Sequence, residues 1–441
     1  MADYDLTERL APFFDIHLVI PMLEFISETK MYDENSLFEM HRKLLLQTNM
    51  IDSVLEMYEG SQPPEDVLKR RDDVLAEREK LKAKCDPVVE ILERDDVKEL
   101  MENSGPNREG NSKVFEYIEQ NYGFTLEMID VLYKYAKFNY ECGNYGAASI
   151  CLYYYCKVVP ASDPNYLNAL YGKLGSEILL GNWAHAKDDL TRLRAYIDSD
   201  PFENQVELLQ HKAWLMHWSL FVHINTDCYD DIIATFLNEQ SYLNTIQILC
   251  PHLLRYLAAA VVISKNKPKH TMKELIKVID SERYNYRDPV TDFLSSLYLD
   301  FDFDGAQEKL QECEQLLKKD FFLVACANSF RESARLLVFE MFCRIHQCIS
   351  LDMLASRLFM QPEEAERWIV DLIRNFRIEG AKMDSDKKMV MMGSKPASIH
   401  EQVMENTKRL TQRSQQTALQ LEKAKQEKGT KGQWKNESTV H

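Results

Sequence analysis

Two stretches of this chain, "GNYGAASICL" and "GNWAHAKDDL", superpose with an offset of 38 residues. Gly143 falls on Gly181, Asn144 on Asn182, Tyr145 on Trp183, Ala148 on Ala186 and Leu152 on Leu190. A fainter third copy, "FDGAQEKL", keeps the spacing with Phe303, Ala306 and Leu310. The offset suits one helical hairpin. Gly-Asn makes the tight turn between antiparallel helices, the aromatic residue plugs the hairpin, and the small alanine three residues on lets the next helix approach. Hairpins of this kind stack into a solenoid of the tetratricopeptide type. Tyr145, Ala148, Leu152, Trp183, Ala186 and Leu190 are therefore expected in the repeat core, not around a ligand. The pattern predicts architecture, and stacked hairpins leave long surfaces that suit protein partners.

With 441 residues the chain is too long for one ordinary core. Nearly every long segment shows helical spacing and only 378–392 reads as strands, so the expected fold is almost all-α. Residues 4–59 carry apolar positions at spacings of three and four, and then composition shifts at "SQPPEDVLKRRDDVLAEREKLKAK". Pro63 and Pro64 open a charged helix with few apolar residues, which suits a solvated connector. A second break, "MENSGPNREGNSK", clusters Gly, Pro and Asn as loops do. The breaks divide an N-terminal helical unit with its connector, 1–100, from a helical-repeat solenoid over 114–345.

Residues 346–393 have the layout of a winged helix. "SARLLVFEMFCRIHQ" gives one helix, and "ISLDMLASRLF" a shorter one capped by Ser350. "QPEEAERWIVDLIRNF" is a strongly amphipathic third, with Pro362 at its first position and Glu363 and Glu364 at its positive end. "RIEGAKMD" and "KMVMMG" follow as a hairpin. Met389, Val390, Met391 and Met392 form a short apolar strand expected at an unpaired sheet edge, open to strand pairing with a neighbouring subunit. A C-terminal helix is expected over 396–424, with a disordered tail over 425–441. On that helix Ile399, Val403, Leu410, Thr417 and Leu421 make a sparse seam, too weak to hold a lone helix and suited to docking in a bundle of helices from companion chains.

Charge and motifs narrow the function. The formal net charge of -17 opposes a protein whose task is to neutralise phosphates. From 351 to 395 eight basic residues balance eight acidic ones, and the third helix opens on Glu363, Glu364 and Glu366, where a DNA reader would present Arg and Lys. Direct DNA binding is not expected. Ten cysteines in apolar contexts, such as Cys151, Cys156, Cys343 and Cys348, fit a reduced intracellular chain. The acidic start "MADYDLTERL" is unlike a signal peptide, and "YLAAAVVIS" is about half of a membrane span. A soluble cytoplasmic protein is expected. Nucleotide-loop, dinucleotide, zinc-protease and serine-elbow motifs are absent, so no catalytic, cofactor or metal residue is assigned. His211, His217 and His223 recur every six residues and point to three sides of one helix, so they cannot share a metal. "CRIHQC" lacks the second ligand pair that a structural zinc site needs.

A solenoid running into a neutral winged helix resembles the PCI domain, the module shared by the proteasome lid, the COP9 signalosome and translation initiation factor 3. The segments "LAPFFDIHLVIPMLEFI", "FNYECGNYGAASICLYYYCKVV" and "FCRIHQCISLDMLASRLFMQPEEAERWIVDLIRNFRIEGAKMD" are similar to the family of e subunits of eukaryotic translation initiation factor 3, over about residues 4–421. The resemblance implies a PCI domain beginning near 219 and a non-catalytic scaffold without cofactors. It implies binding to the 40S ribosomal subunit, recruitment of messenger RNA, and contacts with other PCI and MPN subunits, including c and d, and with initiation factor 4G. It also implies a cytoplasmic location with a nuclear pool. The turn Asp384, Ser385, Asp386, Lys387 departs from the family's glycine-containing turn. The alternatives are a PCI scaffold of the lid or the signalosome, and a helix-turn-helix transcription regulator.

Overall fold

A computed structural model of the chain describes residues 4–29, 31–58, 64–103, 108–160, 163–199, 202, 204–264, 269–346, 348–351, 353, 355, 361–376, 381–384, 389–392 and 399–437. The helices begin with α1 (Thr7–Leu10), a 3-10 turn (Ala11–Phe13), α2 (Ile16–Thr29), α3 (Glu34–Leu45), α4 (Ile51–Glu56), α5 (Glu65–Leu92), α6 (Asp95–Asn103) and α7 (Arg108–Tyr122). The repeat region follows: α8 (Leu126–Glu141), α9 (Tyr145–Val158), α10 (Tyr166–Leu180), α11 (Trp183–Asp198), α12 (Gln205–Asn225) and α13 (Tyr229–Phe236). Then come α14 (Gln240–Leu249), α15 (Leu253–Ile263), α16 (Lys269–Glu282), α17 (Pro289–Tyr298), α18 (Phe303–Leu317) and α19 (Ala327–Ile345). Strand β1 (Cys348–Ser350), α20 (Pro362–Phe376), β2 (Ala381–Asp384), β3 (Met389–Met392) and α21 (Ile399–Glu437) complete the chain. Two compact units divide within α19, Met1–Val338 and Phe339–His441.

The repeat motif is a turn device. Gly143 and Gly181 adopt the left-handed backbone, with φ of 81° and 73°. The next residue starts a helix while its N–H reaches back five residues, Asn144 to the Asn139 carbonyl at 2.9 Å and Asn182 to the Glu177 carbonyl at 3.0 Å. Ala148 and Ala186 are fully buried, Leu152 and Leu190 nearly so. Tyr145 and Trp183 are half-buried, so the aromatics are less covered than the alanines and leucines expected with them in the repeat core. Each stands at the first position of its helix.

The same turn occurs once more, before α13. Asp227 takes a left-handed φ of 53°, the Cys228 N–H reaches the His223 carbonyl at 2.9 Å, and Ile232 and Phe236 occupy the alanine and leucine places. In the third copy Phe301 holds the glycine place with φ of 54°. Among the described residues, Asp227 and Phe301 are the non-glycine residues with positive φ, and both stand where the first two copies have glycine.

Helix α5 is the charged connector expected after Pro64. It runs 28 residues, and its buried side chains are Val67 near the start and Cys85, Val88 and Leu92 near the end. The N-terminal segment is tied far along the chain. The Trp218 indole donates to the Phe13 carbonyl at 3.0 Å, and Arg255 donates to the Tyr4 carbonyl at 2.6 Å. Arg255 also binds Asp288 at 2.6 Å and Asp320 at 3.0 Å, and all three are buried. Helix α12, which carries Trp218, is buried on every side from Leu215 to Ile224.

In the second unit the sheet is three-stranded and antiparallel, ordered β1-β3-β2. Ile349 pairs with Val390, and Met383 pairs with the same residue from the other side. This corrects the reading of Met389–Met392 as an unpaired edge: β3 is central, and the edges are β1 and β2. The segment "CIS" is too short for its alternation to register as a strand, yet its central Ile349 is fully buried. Ala365 and Ile369 of α20 are buried, and Trp368 packs edge-on against Phe339 at 5.8 Å. Ser350 accepts from the Met353 N–H at 3.2 Å, as a cap should. The expected hairpin turn at 385–388 lies outside the described residues.

Helix α21 continues to Glu437, through most of the tail expected to be disordered. Glu, Lys, Gln and Ala dominate 420–428 and favour helix, which outweighs isolated Gly429 and Gly432.

Candidate interaction surfaces

The clearest surface of the second unit lies along α21. Ile399 is 78% exposed, Leu410 61%, Leu421 59% and Val403 56%. Met404 and Leu419, which the spacing pattern leaves out, are as exposed and widen the stripe. The threonines interrupt it less than their type suggests. Thr407 donates to the Val403 carbonyl at 2.6 Å, Thr411 to Thr407 at 2.9 Å and Thr417 to Arg413 at 2.8 Å. Each hydroxyl is satisfied within the helix, so the outward atom of Thr417 is its methyl. At 1.5 Å per residue the helix is about 58 Å long, a rod with an unspent apolar face.

On the wing, Val390 is fully buried and Met391 is 40% exposed on the adjoining face. Strand addition there has to use β1 or β2, because both sides of β3 are hydrogen-bonded.

Within the first unit a cleft of about 600 Å³ is lined by Phe13, Tyr133, Tyr140, Tyr171, Trp214 and Trp218, among others. Tyr140 donates to Asp15 at 2.9 Å, and burial pushes the Tyr140 and Tyr171 hydroxyls well above their usual range. The thiols of Cys156, Cys250, Cys326 and Cys343 are pushed up to about 12, first by burial. They stay protonated at neutral pH and pack as small apolar groups. Burial thus keeps these hydroxyls and thiols neutral.

The three spaced histidines separate as expected from helix geometry, but His217 finds partners from elsewhere. Its Nδ1 lies 2.6 Å from the Ala213 carbonyl and its Nε2 lies 2.8 Å from Nε2 of His252. A carbonyl only accepts, so His217 carries its proton on Nδ1 and accepts from His252 at Nε2. Burial lowers both imidazoles, His217 to about 4 and His252 to about 3, and both are neutral. Among the described residues, His217, Cys250 and His252 are the one group of three whose donor atoms converge. A search by spacing along one helix could not pair residue 217 with 250 and 252. The available signal was "CPH" at a helix-helix corner.

A helical array ending in a small winged sheet, with an exposed C-terminal helix, defines a PCI-type helical scaffold. Family models agree: the eIF3 subunit 6 N terminal domain matches residues 5–139 and the PCI domain matches 310–394. The chain is 61% identical over 429 residues to the E subunit of eukaryotic translation initiation factor 3 from Caenorhabditis elegans, covering 97% of this chain and 99% of that protein. Identity to the corresponding protein of Brugia malayi is 61% over 97% of the chain, and to that of Bombyx mori 44% over 93%. The chain belongs to the family of E subunits of eukaryotic translation initiation factor 3.

Proposed function

We propose that this protein is a non-catalytic scaffold of initiation factor 3 that helps bind the 40S ribosomal subunit and recruit messenger RNA. The relation to the E subunits over nearly the whole chain carries the reading. The exposed stripe of α21 supports it, because a lone scaffold has no use for an apolar rod in water. In this reading Ile399, Val403, Leu410 and Leu421 enter a bundle with helices of other PCI and MPN subunits. The segment Met389, Val390, Met391 and Met392 anchors the sheet whose free edges β1 and β2 meet a neighbouring wing. The helices from about 219 onward belong to the same PCI unit. The c and d subunits and factor 4G are the expected contacts of the remaining surface, in the cytoplasm. Among the described residues no helix is long and apolar enough to cross a membrane.

The test is affinity purification of the tagged full chain from its own cells, with mass spectrometry of what it retains. Initiation factor 3 subunits and 40S proteins in near-stoichiometric amounts support the reading. Recovery of proteasome-lid or signalosome subunits in their place overturns it.

A further inference from the structure

Three donor-bearing side chains meet in the interior of the first unit, and nothing in a scaffold role requires them. His217 stands midway along α12, while Cys250 and His252 flank Pro251 at the corner between α14 and α15. Their donor atoms all lie within 4.8 Å of one another. His217 and Cys250 are fully buried and His252 is 4% exposed. The hydrogen bond to the Ala213 carbonyl fixes the ring of His217 and leaves its Nε2 lone pair facing the other two, as the outer partners of metal-bound histidines do. Phe13 stacks on the same ring, 4.1 Å between centroids and 4° between planes, and closes the site on that side.

We propose that His217, Cys250 and His252 bind one soft univalent metal ion, copper(I). One thiolate and two imidazoles make a donor set for soft or borderline ions. Charge and donor number then choose among them. Zinc(II) seeks a fourth ligand and would leave one net positive charge in a dry interior. Arg9 and Arg255 already act on His252 with positive charge, which makes that excess worse. Copper(I) with one thiolate and two neutral imidazoles is uncharged and accepts three donors. Bonds near 2.0 Å in a trigonal plane would hold the two nitrogens about 3.5 Å apart. The rings therefore open from their 2.8 Å contact, and the sulfur closes inward. Binding breaks the Cys250 S–H bond, releases that proton to water and forms a copper–sulfur bond. The ring proton of His252 moves from Nε2 to Nδ1, and no electron is transferred.

The probe is copper(I) itself, given anaerobically to the purified full chain as its bicinchoninate complex. Wild type is expected to remove one equivalent, and Cys348→Ser, which changes an exposed thiol, to do the same. Cys250→Ser and His252→Asn are expected to weaken that equivalent at least about ten-fold. Because core variants can fail to fold, copper-edge X-ray absorption of the loaded wild type supplies a measurement without mutation. A shell of two nitrogens and one sulfur supports the site. A shell of sulfur alone, or no stoichiometric uptake, overturns it and leaves a hydrogen-bonded histidine pair. Tighter retention of zinc(II) than copper(I) overturns the univalent assignment.

Discussion

The repeat helices and the C-terminal helix use the same kinds of side chain in opposite ways. In α9 and α11 the alanine and leucine of each repeat are 0–6% exposed, whereas the isoleucine, valine and leucines of α21 are 56–78% exposed. Sequence pattern explains the difference. The repeat gives every helix a neighbour in the same chain, joined by a turn of fixed geometry, so its apolar face is consumed locally. The seam of α21 stays exposed within the chain, and in the proposed reading another molecule covers it. An interior substitution should therefore register as lost stability, and one on α21 as lost assembly.

The largest interior effect should come from charge. Arg255 joins Asp288, Asp320 and the Tyr4 carbonyl, and burial pushes the Asp288 carboxyl up, with Arg255 opposing only in part. Arg255→Met leaves two buried carboxylates without a cation, which costs about 3–5 kcal/mol. Urea unfolding of the full chain, read by circular dichroism, measures the loss. A midpoint unchanged from wild type would show that this network does not hold the N-terminal segment.

The next effect depends on pH. His223 is buried with Nδ1 lacking a hydrogen bond, and burial lowers it to about 4, with Asp231, 4.0 Å away, only partly opposing. Below the ordinary value of 6.5 the unfolded chain binds a proton that the folded chain refuses. The stability from His223 is thus complete above that value and is lost as pH falls toward 4, at about 1.4 kcal/mol per pH unit. His223→Gln should flatten the acid side of the stability curve between those values relative to wild type. Parallel curves would mean that His223 is reached by water and titrates normally.

How far the sequence showed this depended on which residue marked each turn. The first two copies were legible because Gly143 and Gly181 declare a left-handed backbone. The turn before α13 has the same geometry but was hidden, since Asp227 replaces glycine and Ile232 replaces alanine. Strand β1 was missed because three residues show too little alternation, and that omission put β3 at an edge it does not occupy. The exposed seam of α21 was legible from spacing alone, although Met404 and Leu419 were not included. The convergence of His217 with His252 depends on how α12 meets α14 and the corner that follows it, which no local pattern records.

These turns permit a smaller test within the repeat region. Nothing lies within 4 Å of a Cβ placed on Gly181, so Gly181→Ala should cost only the backbone term, about 1–2 kcal/mol. Phe301 is 54% exposed and already bears that term, so Phe301→Gly should be stabilising by about 0.5–1 kcal/mol. Opposite shifts in the urea midpoint are expected. Shifts of the same sign would show that the left-handed positions 181 and 301 are not equivalent.

The smallest stability change is expected where the assembly effect is greatest. Replacing Ile399, Leu410 and Leu421 together by Asp removes three side chains that are 59–78% exposed in the isolated chain, so little burial is lost. Its urea midpoint should match wild type within about 0.5 kcal/mol, the usual range for surface changes. In a bundle each of these side chains would contribute about 1.5–3 kcal/mol if fully buried, and three carboxylates would enter an apolar seam unpaired. Gradient sedimentation of cell extract should then find the variant near the top as a folded single chain, and wild type in the heavy complex. If the variant still sediments with the complex, α21 is a solvated rod, and its exposed seam is not what distinguishes it from the repeat helices.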